Sequence, residues 1–298
     1  MKEITPQKAA NQISKILAIS FGEKRFPISV KEWAVQYSKD ICPNKNNCQN
    51  CKNKDCIIKI CGIPLSENTD GCLKKTENGW VIIYNDAIKY PGRINFTIAH
   101  EFGHYILHRK KYPHGLNCDK NDISRDDNVK SVEREANIFA SYLLMPFDDF
   151  RETSRKYPFS IELFRALADR YKASLTATVL KWIEMTDKMA MAVFSDNGFI
   201  EWKKQSTPLL KKKIFSYKTE SPEELPSTSL SARIDNNISE DHEKNQKNIW
   251  CKNSFSEEIV FNAPHLESKI IIVLFKYFEA SLEEEKEEDC FDKISKFV

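Results

Sequence analysis

The sequence lacks long hydrophobic runs. None of its apolar stretches approaches the roughly 18 residues that a membrane-spanning helix needs. The first residues, MKEITPQKAANQISKIL, also lack the apolar segment of a secretory signal peptide. We therefore expect a cytoplasmic protein with no membrane partner. Thiols stay reduced in that compartment, so the nine cysteines point to metal binding or plain burial before disulfides.

The sequence also lacks a strong net charge and an internal repeat. Its formal net charge is only +2 over 298 residues, so no global electrostatic field recruits nucleic acid or an anionic membrane. Hydrophobic residues make up 41% and charged residues 30%, as in an ordinary globular protein. The length indicates two domains, or one domain with a sizeable extension.

Two histidines four residues apart stand out in TIAHEFGHYI, residues 97–106. On a helix, His100 and His104 would project from one face and grip one zinc ion. Glu101 lies about 100° around the helix, from where it can reach a metal-bound water without being a ligand. The pattern predicts a zinc site with Glu101 as general base. The alternative is a core helix whose histidines are satisfied by hydrogen bonds.

A catalytic zinc ion needs a third protein ligand. Leu107 and Lys110 exclude the arrangement that has Gly and His at these positions. A later helix, VEREANIFASYLLMP, offers Glu133 and Glu135, which differ by about 200° around the helix, so only one can face the metal. We prefer Glu133, with Asn137 on the same face as a hydrogen-bond partner for a ligand histidine. Glu135 is then a solvated or salt-bridged residue.

These two motifs resemble those of the ImmA/IrrE family of metallopeptidases. RINFTIAHEFGHYILH is followed roughly thirty residues later by EREANIFASYLLMP, and the resemblance covers roughly residues 6–185. It implies an α+β, zincin-like fold in which a helical bundle packs against a small twisted sheet. Carried over by position, it implies that His100, His104 and Glu133 bind zinc and that Glu101 is the catalytic base.

The resemblance also implies a substrate. Such enzymes are implied to cleave helix-turn-helix repressors of mobile-element, phage or stress genes. The predicted chemistry is hydrolysis of a peptide bond by a zinc-activated water, with Glu101 carrying the proton to the leaving amine. Tyr105, His108 and His114 are candidates for an assisting role. Two other functions stay open: a non-catalytic repressor-binding or DNA-associated regulatory protein, and a toxin or phage-defence protease.

An extended substrate can bind along an exposed sheet edge beside the metal helix. GWVIIYND, residues 79–86, is the candidate for that edge, and an ordinary core strand is the alternative.

A cysteine-rich insert at residues 42–61 departs from the family pattern. Cys42, Cys48, Cys51 and Cys56 lie among polar residues that bury little, and Cys48 and Cys51 have the spacing of a zinc knuckle. Thiolates also suit iron–sulfur clusters. We therefore predict that a second Zn²⁺ or an iron–sulfur cluster orders the insert. The alternative is a loop with unligated thiols.

The chain divides into three predicted segments. Residues 1–155 form the metallopeptidase domain, residues 156–188 a helical, helix-turn-helix-like packing unit, and residues 189–298 a mixed strand-rich C-terminal domain with a hypothetical regulatory role. In the second helix of the middle segment, LTATVLKW, Lys181 is the only base, so we expect no direct contact with nucleic acid. Asn197-Gly198 predicts a tight hairpin in the last segment.

Overall fold

The structure, a computed structural model, describes residues 4–41, 54–119, 127–215, 223–262 and 268–278. A 3-10 turn, Gly22–Arg25, follows the first helix. The helices are α1 Pro6–Phe21, α2 Val30–Asp40, α3 Pro91–Leu107, α4 Asp127–Leu144, α5 Phe147–Arg155, α6 Ile161–Tyr171, α7 Leu175–Met185, α8 Thr207–Lys211 and α9 Leu230–Arg233. The strands are β1 Ile57–Ile63, β2 Thr69–Thr76, β3 Gly79–Asn85, β4 Gly115–Asp119, β5 Ala190–Asp196, β6 Phe199–Gln205, β7 Glu223–Glu224, β8 Glu240–Lys247, β9 Ser254–Asn262 and β10 Lys269–Phe278.

The chain forms two compact units. The first comprises Met1–Pro158 and Glu162–Lys181, and the second comprises Phe159–Ile161 and Trp182–Val298. Within the described residues, we find no helix that combines the length and the apolar character needed to cross a membrane.

The first unit contains a four-stranded sheet in the order β1-β3-β2-β4. β1 pairs with β3 in parallel, and the other pairs are antiparallel. The prediction that residues 79–86 form an exposed edge is wrong, because β3 lies between β1 and β2. Trp80 and Ile82 are buried in the core, which fits a central strand. The edges of this sheet among the described strands are β1 and β4.

Helix α3 lies at the centre of the first unit. It begins with Pro91 at its first turn, where the missing backbone N–H costs nothing. Ile98, Ala99 and Phe102 join the same buried cluster as Trp80 and Ile82 of the sheet. Phe139, Ala140 and Leu143 of α4 belong to that cluster as well, as does one face of α1. α3 is thus held by hydrophobic packing between the sheet and the other helices.

Helices α6 and α7 form the predicted pair around a turn at Lys172, whose φ is +48°. Residues 175–181, the first-unit part of α7, are all buried or half-buried. Lys181, the basic residue of that stretch, is only 1% exposed. That this helix makes no direct contact with nucleic acid stays a prediction.

The second unit contains an antiparallel sheet in the order β7-β6-β5-β10-β9-β8. β5 and β6 form the predicted hairpin, and its turn residues Asn197 and Gly198 have φ of +48° and +81°. Two positive φ values are typical of a primed turn, which follows the twist of the strands. The predicted α+β class is confirmed, with a helical unit around a small sheet and a strand-rich C-terminal part.

Candidate metal centre

Three side chains from α3 and α4 converge on one point. The Nε2 atoms of His100 and His104 are 3.0 Å apart. Nε2 of His100 is 3.0 Å from Oε2 of Glu133, and Nε2 of His104 is 3.2 Å from Oε1. One ligand atom of each residue lies within 4.8 Å of the others, and this is the group of potential metal ligands found among the described residues. The structure thus brings Glu133, and not Glu135, to the two histidines.

His100 is oriented by the neighbouring helix. Its Nδ1 lies 3.0 Å from Oδ1 of Asn137, one turn after Glu133, as the spacing predicts. An amide oxygen can only accept a hydrogen bond, so Nδ1 of His100 carries the proton and donates. With the proton of Nδ1 held by Asn137, Nε2 is the nitrogen that a metal ion would bind.

His104 is oriented by a chain of two further residues. Its Nδ1 lies 3.0 Å from Nδ1 of His108, and Nε2 of His108 lies 3.0 Å from Oε2 of Glu135. The carboxylate accepts, so Nε2 of His108 donates to it, and Nδ1 of His108 is left to accept the proton of His104. This chain leaves the lone pair of His104 Nε2 facing Glu133. The sequence shows the signal, a histidine on every fourth residue from 100 to 108, but does not reveal the partner on α4.

The protonation states follow from burial and charge. Burial alone would lower the pKa of His100, but the hydrogen bond to Glu133 and the charges of Glu101 and Glu133 raise it above its ordinary value. Burial lowers the pKa of His104 to about 4. Burial would raise the pKa of Glu133, but its contacts with the two histidines, His100 first, hold it well below its usual range. Near neutral pH, His104 is therefore neutral and Glu133 is ionised, as metal ligands must be.

Glu101 is buried at the junction of α3 and β2. Its side chain is outside the three-residue ligand group, and the residue is 1% exposed. A Cβ at Gly71 would lie 3.1 Å from Oε1 of Glu101 and 2.6 Å from Cγ2 of Thr97, so glycine lets β2 approach the helix. Burial raises the pKa of the Cys72 thiol to about 11, and the negative charge of Glu101 contributes to that rise. Glu101 therefore stands beside the ligands as an additional carboxylate.

The distance between α3 and α4 depends on Gly103. A Cβ at this position would lie 2.9 Å from Cδ1 of Phe139. The glycine thus lets the aromatic ring of Phe139 approach α3 closely. Because His100 and His104 belong to α3 and Glu133 to α4, this contact sets how closely the ligands can meet.

The other proposed assistants lie elsewhere. The Tyr105 hydroxyl donates a hydrogen bond to the Asp55 carbonyl oxygen at 2.8 Å, and its assisting role stays a prediction. His114 is exposed on the loop after α3. Asp55 also accepts hydrogen bonds from Trp80 Nε1 at 3.0 Å and Arg109 Nε at 3.1 Å. These contacts fix the chain where it enters β1.

Most of the cysteine cluster lies outside the described residues. This applies to Cys42, Cys48 and Cys51, so the predicted second Zn²⁺ or iron–sulfur cluster stays a prediction. Cys56 is buried just before β1, and Ile57 of that strand donates its N–H to Ser38 Oγ at 2.9 Å. Cys61 is half-buried on β1, and Cys72 is buried on β2.

The donor set fits a zinc ion. Two imidazole nitrogens and one carboxylate oxygen are a known ligand set of catalytic zinc, which keeps a fourth position for water or substrate. The three residues are largely buried, and Asn137 and His108 supply the outer hydrogen bonds that such histidines need.

Comparison with known proteins agrees with this geometry. Residues 54–182 match the sequence model of the Peptidase_M78 family, described as an IrrE N-terminal-like domain. Among solved structures, the chain is similar to a Mycobacterium tuberculosis transcriptional regulator, with a TM-score of 0.52 and 11% sequence identity. That likeness covers 91% of this chain and 75% of the other, and at this identity it concerns the fold alone. No curated protein matches the chain. Residues 54–182 therefore form an IrrE N-terminal-like domain of the Peptidase_M78 family, which agrees with the ImmA/IrrE resemblance of the two motifs and is consistent with a zincin-like fold.

Proposed function

We propose that this protein is a zinc-dependent endopeptidase. The observation that carries the proposal is the convergence of His100, His104 and Glu133 next to a buried carboxylate, Glu101, that is outside the ligand group. A purely structural metal site has no need of that fourth group, whereas hydrolysis needs a base. The Peptidase_M78 match over residues 54–182 supports the same function.

Each residue has one part in the proposed chemistry. Zinc held by His100, His104 and Glu133 would supply an acidified water and a Lewis acid for the scissile carbonyl. Glu101 accepts the proton of the attacking water and passes it to the leaving amine. Because Glu101 is almost wholly buried, little bulk water competes for its proton. Asn137 and His108 hold the two imidazoles in the tautomer that keeps Nε2 unprotonated.

The proposed substrate is a helix-turn-helix repressor in the cytoplasm. The family resemblance of the two motifs supports this substrate. That this chain acts on the repressor and does not itself bind the operator is part of the same proposal. The gene programme controlled by the repressor, whether of a mobile element, a phage or a stress response, is part of the same proposal.

The test is incubation of the zinc-loaded protein with the helix-turn-helix protein encoded nearest to its gene. We expect a discrete fragment with wild type and none with Glu101→Gln, which keeps the ligands and the shape of the side chain. Glu152→Gln, an exposed glutamate on α5, is the matched control and should cleave normally. Normal cleavage by Glu101→Gln would refute the role of Glu101 as the general base.

A second measurement separates the enzyme from a binding protein. Metal analysis should find at least one zinc per chain in wild type and a lower zinc content in Glu133→Ala. A wild-type protein that binds the repressor, holds no zinc and leaves every peptide intact would favour the non-catalytic alternative. A sequence-specific gel shift with the chain alone would favour the DNA-associated one.

A further inference from the structure

We infer that a cavity in the second unit binds a small organic ammonium ion, that is, a compact amine with an apolar body. The cavity has a volume of about 600 Å³. It is lined by the β5–β6 turn with the start of β6, by the end of β7, and by the segment from α9 to Asn236, and Lys269 at the start of β10 completes the lining. Every lining residue belongs to the second unit, so this site is separate from the metal ligands of the first unit.

Three neighbouring residues of the second sheet form the polar side of the cavity. Lys269 lines the cavity, and the residues directly opposite it are Ser195 on β5 and Asn262 on β9. Side chains that lie directly opposite each other on antiparallel strands project from the same face of the sheet. All three therefore face the side on which the cavity lies. Nζ of Lys269 donates a hydrogen bond to the carbonyl oxygen of Ser231 on α9 at 2.6 Å.

Two of these three residues have a buried polar atom without a hydrogen-bond partner among the described residues. The two atoms are Oγ of Ser195, which is 0% exposed, and Oδ1 of Asn262. The amide of Asn262 is fixed, because its Nδ2 donates to the carbonyl oxygens of Asp235 and Ile238 at 3.2 Å and 2.6 Å. Buried polar atoms are normally hydrogen-bonded. Both atoms can accept a hydrogen bond, so they favour a ligand that brings N–H donors.

The charges at the cavity favour a positive ligand. The lining contains the carboxylates of Glu224 and Asp235 and the ammonium group of Lys269, so two negative charges and one positive charge give a net charge of −1. Within the part of the chain that the structure describes, neither carboxylate forms an ion pair, whereas the preceding Glu223 is paired with Lys203 at 2.5 Å. One ammonium ion would balance the lining and approach either carboxylate without displacing a cation.

The other walls suit the hydrocarbon body of an amine. Leu225 and Ile234 line the cavity and belong to the buried cluster of the second unit. Phe199 also lines it and is 40% exposed, and the face of an aromatic ring attracts an organic cation. Asn197 and Asn236 add amide oxygens as acceptors. Apolar walls beside several acceptors fit an organic ammonium ion better than a bare metal ion, and the volume is typical of small-molecule sites.

The first experiment measures the binding of phenethylamine, which combines an ammonium group with a phenyl ring. Calorimetric titration of the full chain near neutral pH should show saturable binding. The neutral analogue 2-phenylethanol should bind about 10-fold or more weakly, because it lacks the charge that attracts the carboxylates and the ring of Phe199. No saturable binding of the amine, or equal binding of the alcohol, would overturn the inference. Tighter binding of phenylalanine, which adds a carboxylate, would also overturn it and indicate a zwitterionic ligand.

The second experiment locates the bound amine. In ¹⁵N-labelled protein, phenethylamine should shift the backbone amide signals of Gly198 and Ala232, which line the cavity, and should leave that of Gly103 on α3 in place. The shifts should saturate at the same amine concentration as the calorimetric signal. Saturable binding that moves neither cavity signal would refute the assignment of the amine to this cavity.

Two substitutions remove the negative charges one at a time. Glu224→Gln and Asp235→Asn should each weaken phenethylamine binding about 3- to 5-fold, as expected for a partly exposed ion pair. Both residues are exposed, and Asp235→Asn keeps the Oδ1 that accepts from the main-chain N–H and the side-chain amide of Asn237, so the fold is retained. Glu201→Gln, an exposed glutamate on β6 that does not line the cavity, is the matched control and should bind as wild type. Wild-type affinity in both cavity variants would refute the role of the carboxylates and with it the ligand class.

Discussion

Replacing His108 by alanine should weaken zinc binding although His108 is not a ligand. In the folded protein, His104 Nδ1 donates to His108 Nδ1 at 3.0 Å, and His108 Nε2 donates to Glu135 at 3.0 Å. The change removes the acceptor of His104, whose side chain is wholly buried. The imidazole of His104 then loses the bond that fixes its tautomer and its orientation.

The size of the effect follows from that burial. Loss of an outer hydrogen-bond partner of a metal-bound histidine typically costs about 10- to 100-fold in metal affinity. This corresponds to about 1.4–2.7 kcal/mol. A buried N–H without an acceptor costs about 1–3 kcal/mol, which agrees. Glu135→Ala should cost less, because the side chain of Glu135 is 45% exposed and water can replace it beside His108.

The assay is competition for zinc against a chromogenic chelator, near neutral pH. His114→Ala is the matched control, because His114 is an exposed histidine beyond the end of α3 and should leave the affinity unchanged. Circular dichroism checks that each variant folds. If a folded His108→Ala protein bound zinc as tightly as wild type, the hydrogen bonds that link Glu135 through His108 to His104 would not support the metal site. If Glu135→Ala weakened zinc binding more than His108→Ala, the order of the hydrogen bonds, from His104 to His108 and then to Glu135, would be refuted.

Two further changes test the frame of the site. Gly103→Val puts side-chain atoms against Phe139, where a Cβ would already lie 2.9 Å from the ring. We expect this change to lower the free energy of unfolding in urea by about 1–3 kcal/mol and to weaken zinc binding. Unchanged stability would show that α3 and α4 are not in close contact. Asp149→Asn should cost about 3 kcal/mol at pH 7, because Asp149 accepts hydrogen bonds from Arg170 and Tyr171 in a buried site. Burial would raise the pKa of Asp149, but these bonds lower it below 3.8, so its stabilisation is fully present above that pH and is lost as the pH falls. The difference between wild type and Asp149→Asn should therefore shrink below pH 3.8, and a difference that grows on acidification would contradict the assignment.

The helix period made the ligand set predictable. His100 and His104, and likewise Glu133 and Asn137, are pairs of residues four apart, so each pair shares a helix face in any fold that keeps the helices. The separation of about 200° between Glu133 and Glu135 showed that only one of them can face the metal, and Asn137 on the face of Glu133 led to the preference for Glu133. The family match over residues 54–182 rests on the same stretch of chain.

Strand order did not follow from the sequence. Residues 79–86 are apolar enough for a strand at an edge or in the centre, and the composition does not distinguish the two. The parallel pairing of β1 with β3, between residues that are far apart in the chain, places β3 inside the sheet. Pairing partners are chosen by packing of the whole unit, which a local pattern does not contain.

The sequence by itself determined which residues of α3 and α4 can bind one metal ion, because helical spacing is a local property of the backbone. Tertiary structure alone decided that Glu135 reaches His108, that Gly103 meets Phe139, and that Ser195 lies beside Lys269 at a cavity. These contacts join segments separated by tens of residues, and their existence depends on how the helices and the sheet pack together.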